Sequence, residues 1–236
     1  MAESVSGKIT LSMIVKNEVG RYLERALIKH RPWIDQAIII DDGSTDGTPE
    51  LCEELLQGVE HVLIRNKQSH FSDEVSLRKQ QWEAAAQAGA DWILNLDADE
   101  IFEDGWDEDL HALTTGAHEA VYFRLFDMWS ETHYREDLYW RAHQIYRPFL
   151  VKFNPHQTYK WKETPQHCGR FPLNIFEFPY ICHQARIQHF GWARREDRLH
   201  KYVRYRQLDP EAKYGWKEQY ESILDTAPSL VPWRSH

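Results

Sequence analysis

The feature that most limits the folds open to this chain is the alternation in its first hundred residues. Short apolar runs, KITLSMIV (8–15), QAIIIDD (36–42), HVLIR (61–65) and DWILNL (91–96), are separated by stretches of helical character. VGRYLERALIKH (19–30) sets Val19, Tyr22, Leu23, Ala26 and Leu27 on one stripe and ends before Pro32. Thr48 and Pro49 open a second helix over 48–57, and Ser72 and Asp73 open a third that runs to Ala88 and stops at Gly89. Strands joined by crossovers of helical length pair in parallel, so this half predicts a doubly wound α/β layer.

After Gly105 the pattern changes. AVYFRLF (120–126) and HQIYRPFLVKF (143–153) predict strands with no long helix between them. Residues 154–181 read as loops with short strands, ARIQHFGW (185–192) as a last strand, and 194–224 as helix broken near Pro210, with a loose tail beyond. No repeat, low-complexity tract or linker divides the chain. The expectation is one α/β domain over 1–236, with a regular half (1–105) and a mixed half (106–236) that ends in helices.

Composition excludes several classes. No run of about 18 apolar residues offers a spanning helix. The start, MAESVSGKITLSMIV, has neither the basic region nor the long apolar core of a secretory signal, so a cytoplasmic location is expected. Three cysteines, Cys52, Cys168 and Cys182, form no CxxC pair and are expected to stay reduced. A net charge of −9 argues against a nucleic-acid partner, which needs a basic footprint. The locally basic WARREDRLHKYVRYR (192–206) is either a solvated helix face or a positive rim for an anionic ligand.

In an α/β layer of this kind ligands sit beyond the carboxyl ends of the strands. Two acidic motifs fall there, DDGSTDG after the second strand and DADE after the fourth. No GxGxxG or GxxxxGK[ST] accompanies them, so phosphates are not cradled in either of those ways. Residues two apart on an extended chain share a side, which predicts that Asp97 and Asp99 converge and that Glu100 faces elsewhere. Two crowded carboxylates repel, and a divalent cation removes that penalty; Mg²⁺ and Mn²⁺ favour such oxygen ligands. An acidic turn in solvent is the plainer reading. Asp42 is placed to accept a hydrogen bond from a nucleobase, and Arg78 to stack on a base or pair with phosphate.

LSMIVKNE, IIIDDGSTDGT, Arg78 ahead of an Ala-rich helix, and WILNLDADE stand in the order and spacing of glycosyltransferase family 2, which this chain resembles over residues 8–102. FRLFDMW, YREDLYWRAHQIYRPF and HFGW extend the likeness more loosely toward a bacterial subset. The resemblance implies a GT-A fold and a metal-dependent, inverting transfer of a sugar from a nucleotide-diphospho-sugar. It implies a UDP-sugar donor, Mn²⁺ or Mg²⁺, and a carbohydrate or glycolipid acceptor, in surface polysaccharide or lipopolysaccharide assembly. Peripheral association with a membrane stays open. The first half would bind the nucleotide-sugar and the second half the acceptor. Val15, Lys16 and Asn17 would line the nucleotide pocket, Asp42 would meet the base, and Arg78 would lie beside base or diphosphate. Asp97 would face the ribose or a metal-bound water, Asp99 would bind the metal, and His189 would add a metal or phosphate ligand. RKQ (78–80) departs from the Arg-Asn more usual in relatives.

Inversion needs a base opposite the departing diphosphate. Glu163 in WKETPQHCGRFP (161–172) is the first candidate, His167 the second and Asp127 the third. Arg194, Arg195 and Lys201 are candidates for a lid over the diphosphate, and Trp129, Trp140 and Trp161 for sugar platforms. Competing expectations are a sugar-phosphate nucleotidyltransferase, for which the Gly-rich N-terminal loop is missing, and a dehalogenase-type phosphatase, whose acidic pair belongs on the first strand. A non-catalytic nucleotide-sugar or carbohydrate-binding module is the reading from another class.

Overall fold

A computed structural model describes residues 7–106 and 110–235. Residues 1–6, on which the reading of the N-terminus partly rests, lie outside the described residues, as do 107–109 and His236 of the tail. The expected strands form as β1 (Ile9–Val15), β2 (Gln36–Asp41), β3 (Glu60–Arg65) and β4 (Trp92–Asn95). The helices between them are α1 (Leu23–His30), α2 (Thr48–Leu55) and α3 (Glu74–Gln87). The four strands are parallel, in the order β3-β2-β1-β4. On β2, Ala37 and Ile39 pack with Leu23, Leu27, Cys52 and Leu56, whereas Ile38 and Ile40 pack with Leu77, Trp82 and Ala85 of α3. Both faces of the strand are covered, which is why its sequence lacks polar alternation.

The second half comprises β5 (Glu100–Phe102), α4 (Leu110–Thr115), β6 (Ala120–Asp127), β7 (His133–Arg135), β8 (Tyr146–Lys152) and β9 (Tyr180–His189). It ends in α5 (Arg195–Leu208), α6 (Lys217–Ser222) and β10 (Leu230–Pro232). The sheet runs on from the first half as β3-β2-β1-β4-β8-β6-β9-β5, with β8 antiparallel to β4 and β6, and β9 parallel to β6. Two expectations change. β9 starts at Tyr180, not at 185, because its first residues pair with Ala120 and Val121 of β6. The tail is not loose, since β10 pairs with β7. Pairing with a distant strand decides both, and local pattern does not carry that information.

β1 lies between β2 and β4, where the strand order reverses, and a crevice opens there beyond the strand ends. Among the described residues no helix is long and apolar enough to cross a membrane.

Candidate active site

The crevice is a cleft of about 650 Å³. Lys16, Asn17 and Glu18 reach it from the end of β1, Arg78 from α3, Asp97 and Asp99 from the turn after β4, and His189 from the end of β9. Lys201, Arg204 and Tyr205 of α5 close its far wall.

Asp97 and Asp99 do not lie on one side of an extended chain. The Glu100 amide donates to the Asp97 carbonyl at 3.0 Å, so the backbone turns and gives each acid its own partners. Asp97 faces Arg78 at 3.1 Å and Arg170 at 3.5 Å. Burial pushes its carboxyl up, but the two guanidinium charges outweigh burial and hold it well below the usual range. Glu100 is buried, accepts from Arg170 at 2.6 Å and from the Asp97 amide at 2.8 Å, and its carboxyl is raised because burial prevails. It props the turn from beneath.

Asp99 is held differently. Among the described residues its carboxylate accepts no hydrogen bond, and its charged neighbours are His189 Nε2 at 3.6 Å and Lys201 Nζ at 3.7 Å. His189 stands in register with Glu100 of β5 and Asp127 of β6. Its Nδ1 donates to Asp127 at 2.8 Å, which turns Nε2 toward the cleft. Burial lowers the imidazole pKa, but the Asp99 charge and the Asp127 bond win and raise it. A Cβ built on Gly191 would collide with Lys201 Nζ, Asp99 Oδ2 and His189 Nε2 together, so glycine keeps a small polar cradle open.

His167 lines the cleft with a left-handed backbone (φ 53°). Its Nε2 is 2.6 Å from Tyr220 Oη, and the Tyr220 hydroxyl donates to Asp209 at 3.1 Å. The amides of Lys213, Tyr214 and Gly215 donate to Asp209 and, against burial, lower its pKa. The tyrosyl proton is committed to a carboxylate that cannot donate, so Nε2–H of His167 donates to the tyrosine and Nδ1 is left as the acceptor.

Several expected residues are elsewhere. Glu163 does not reach the cleft: it is ion-paired with Lys79 at 2.8 Å on the rim of a separate groove with Trp82, Tyr159 and Trp161. Asp127 is turned onto His189 and is not among the lining residues. Asp42 is fully buried, accepting from Ser69 Oγ at 2.6 Å, the His70 amide at 2.9 Å and Asn66 at 3.1 Å, so it anchors the 66–70 loop behind the cleft. Val15 is fully buried and its carbonyl accepts from the Asp42 amide. Lys16 reaches over the Phe71 ring, and Asn17, also left-handed, ties its loop to Thr45. Trp129 and Trp140 are core residues around Arg135, not platforms. Arg194 caps the Gly20 carbonyl and lies over Tyr22, and neither it nor Arg195 lines the cleft, whereas Lys201 does.

The structure adds residues that sequence reasoning missed. Arg21 bridges Glu18 at 3.2 Å and Asp197 at 3.0 Å, fastening α5 across the mouth. Burial pushes the Glu18 carboxyl up to about 7 despite that arginine. Asp197, Arg204 and Tyr205 share one face of α5 with the expected Lys201, and their helical spacing was a usable signal. Arg170 had none, because its place depends on the path of the irregular 154–172 loop.

Strand order and cleft position define an α/β glycosyltransferase architecture, the GT-A fold. The same fold is found in crystal structures of S. aureus TarS. One, a 1–349 fragment in complex with UDP, matches with a TM-score of 0.54 and 15% identity over 92% of this chain and 69% of that one. Another matches with a TM-score of 0.57 and 15% identity over 92% of this chain and 42% of that one. The family model for glycosyl transferase family 2 matches residues 10–173, and the chain belongs to that family. A TPR repeat-containing protein of Synechococcus elongatus is 34% identical over 102 residues, 43% of this chain. That matched stretch covers 23% of the relative's length.

Proposed function

We propose that this glycosyltransferase, working as one domain, moves a sugar with inversion from a nucleotide-diphospho-sugar to a carbohydrate or glycolipid hydroxyl, in bacterial surface polysaccharide assembly. A UDP-sugar is the first choice of donor, since TarS of the same fold was crystallised with UDP. The observation that carries the reading is the pairing of Asp99 with His189 in a cleft walled by Arg78, Lys201 and Arg204. Acids held apart by separate cations, with Lys201 only loosely paired at 3.7 Å and Arg204 lying over Phe71, suit an anionic ligand.

Among the described residues no group of three or more His, Cys, Asp or Glu side chains is arranged to hold a metal ion. Two ligands still fit a divalent cation that takes its remaining oxygens from a diphosphate. Asp99 supplies a carboxylate, His189 an imidazole fixed by Asp127, and Gly191 leaves the space between them. Mn²⁺ or Mg²⁺ held there would neutralise charge on the leaving diphosphate. Arg78, Lys201 and Arg204 add fixed positive charge on the same side. His167, with Nδ1 free to accept, takes the proton of the acceptor hydroxyl, the role expected first of Glu163.

A thermal-shift panel of UDP-, GDP-, dTDP- and CMP-sugars with and without Mn²⁺ tests the reading. The cognate donor at 100 times its Kd adds about 2.7 kcal/mol of stability. Asp99→Ala removes the Mn²⁺-dependent part. A flat response to every donor sinks the assignment.

A further inference from the structure

We propose that Lys201 is a built-in counter-cation: in the donor-free enzyme its ammonium fills the Asp99–His189 cradle and competes with a divalent metal for it. The inference rests on the cation-site reading above and adds a residue that opposes loading. Elsewhere in and beneath the cleft the carboxylates are held at contact, Asp97 by Arg78 at 3.1 Å, Glu100 by Arg170 at 2.6 Å and Asp127 by His189 at 2.8 Å. Asp99 alone of these four has only looser neighbours, Nε2 of His189 at 3.6 Å from Oδ1 and Nζ of Lys201 at 3.7 Å from Oδ2. The Cβ position of Gly191 falls among the same three polar atoms. With the ammonium there, no further atom fits among the three groups without a shift, yet neither contact of Asp99 is a closed ion pair.

Charge makes the competition unavoidable. A dication drawn to Asp99 meets the positive charge of Lys201 at nearly the same distance as the carboxylate it seeks. Both cannot occupy the cradle. The lysine has somewhere to go, because its Nζ already lies over the Trp192 face at 4.4 Å and its stem rises from the partly exposed face of α5. A bound diphosphate offers that ammonium new oxygens once it leaves. The free enzyme thus keeps Asp99 charge-balanced and takes up metal weakly.

The test is Mn²⁺ binding alone, followed by the loss of the free-ion electron paramagnetic resonance signal in full-length protein without nucleotide. Lys201→Met binds Mn²⁺ roughly ten- to a hundredfold more tightly than the wild type, and Lys201→Gln does the same. Lys201→Arg, which keeps the charge, stays at the wild-type affinity or below. Circular dichroism and melting confirm that each variant is folded. Equal or weaker Mn²⁺ binding by both neutral variants overturns the role of Lys201 while leaving the cation site standing. If Asp99→Ala in the Lys201→Met background binds as tightly as Lys201→Met alone, the cation site itself is wrong. Absence of Mn²⁺ binding by every form overturns both.

Discussion

The ring of His167 is tied through Nε2 to the phenolic oxygen of Tyr220, 2.6 Å away. Behind the tyrosine, Asp209 accepts a hydrogen bond from its hydroxyl at 3.1 Å, so the pair fixes one tautomer and leaves Nδ1 as the acceptor. Tyr220→Phe keeps the ring and deletes the acceptor for Nε2–H. A tenfold fall in kcat/KM is the expected size, since only orientation is lost, whereas His167→Gln costs roughly 10²–10⁴. Steady-state kinetics on both variants checks this; equal activity of His167→Gln and wild type would remove His167 from the reaction.

As the proposed base, the same histidine predicts a pH limb. Burial lowers its pKa below the ordinary value of 6.5, with the carboxylates of Glu74 and Asp209 opposing that and Lys162 and Arg204 assisting it. A base must be unprotonated, so kcat/KM rises with pH through a midpoint below 6.5 and is flat above it. Glu74→Gln removes an opposing charge and moves the midpoint further down. An unmoved midpoint in both Glu74→Gln and Tyr220→Phe assigns the limb to another group.

Arg170 is the counter-charge for a buried acid. It holds Glu100, which is 1% exposed, at 2.6 Å and also donates to the Asn95 carbonyl at 3.0 Å. Arg170→Met strands the Glu100 charge, and urea denaturation is expected to show a loss of about 3–5 kcal/mol. Adding Glu100→Gln to that variant neutralises the stranded group and recovers a large part of the loss. A double variant no more stable than the single one would show that packing, not charge, is responsible.

The β/α alternation exposed the parallel half of the fold because each strand and helix there is encoded by its own residues. DADE was legible as an acidic site for the same reason: it follows directly on a buried strand. The division of labour among its acids was not legible, because it depends on Arg170 and Lys201, which arrive from 70 or more residues away. Glu163 looked like a base from its loop, yet the path of that loop turns it to Lys79 and brings His167 inward. Side-chain direction in an irregular segment is set by contacts made at a distance, and no local period reports it.

His30 gives the fold a pH dependence remote from the cleft. It is fully buried, receives the Phe102 amide on Nε2 at 3.4 Å and packs on Trp33 at 4.9 Å. Burial, aided by Lys29, lowers its pKa to about 3. Between 6.5 and about 3 the unfolded chain binds a proton that the folded chain refuses, so stability falls as pH drops through that window. Its share of the loss between pH 7 and pH 5 is about 2 kcal/mol. His30→Leu should shrink the difference between urea curves at the two pH values by that amount. An unchanged difference means that His30 does not titrate in this way.

Gly191 provides the sharpest test of the cradle. Alanine there keeps the backbone within ordinary conformations, because this glycine is not among those with positive φ. Its methyl group would collide with Lys201 Nζ, which can swing aside, and also with Asp99 Oδ2 and with the His189 ring that Asp127 fixes. Overpacking against those two groups should cost about 1–3 kcal/mol of stability. Mn²⁺ binding should weaken roughly ten- to a hundredfold, the scale seen when the surroundings of a metal ligand are disturbed. Measuring urea stability and Mn²⁺ affinity on the same preparation separates the two effects. Loss of stability without loss of Mn²⁺ affinity would mean that Gly191 serves the fold and that the cation, if it binds, sits elsewhere.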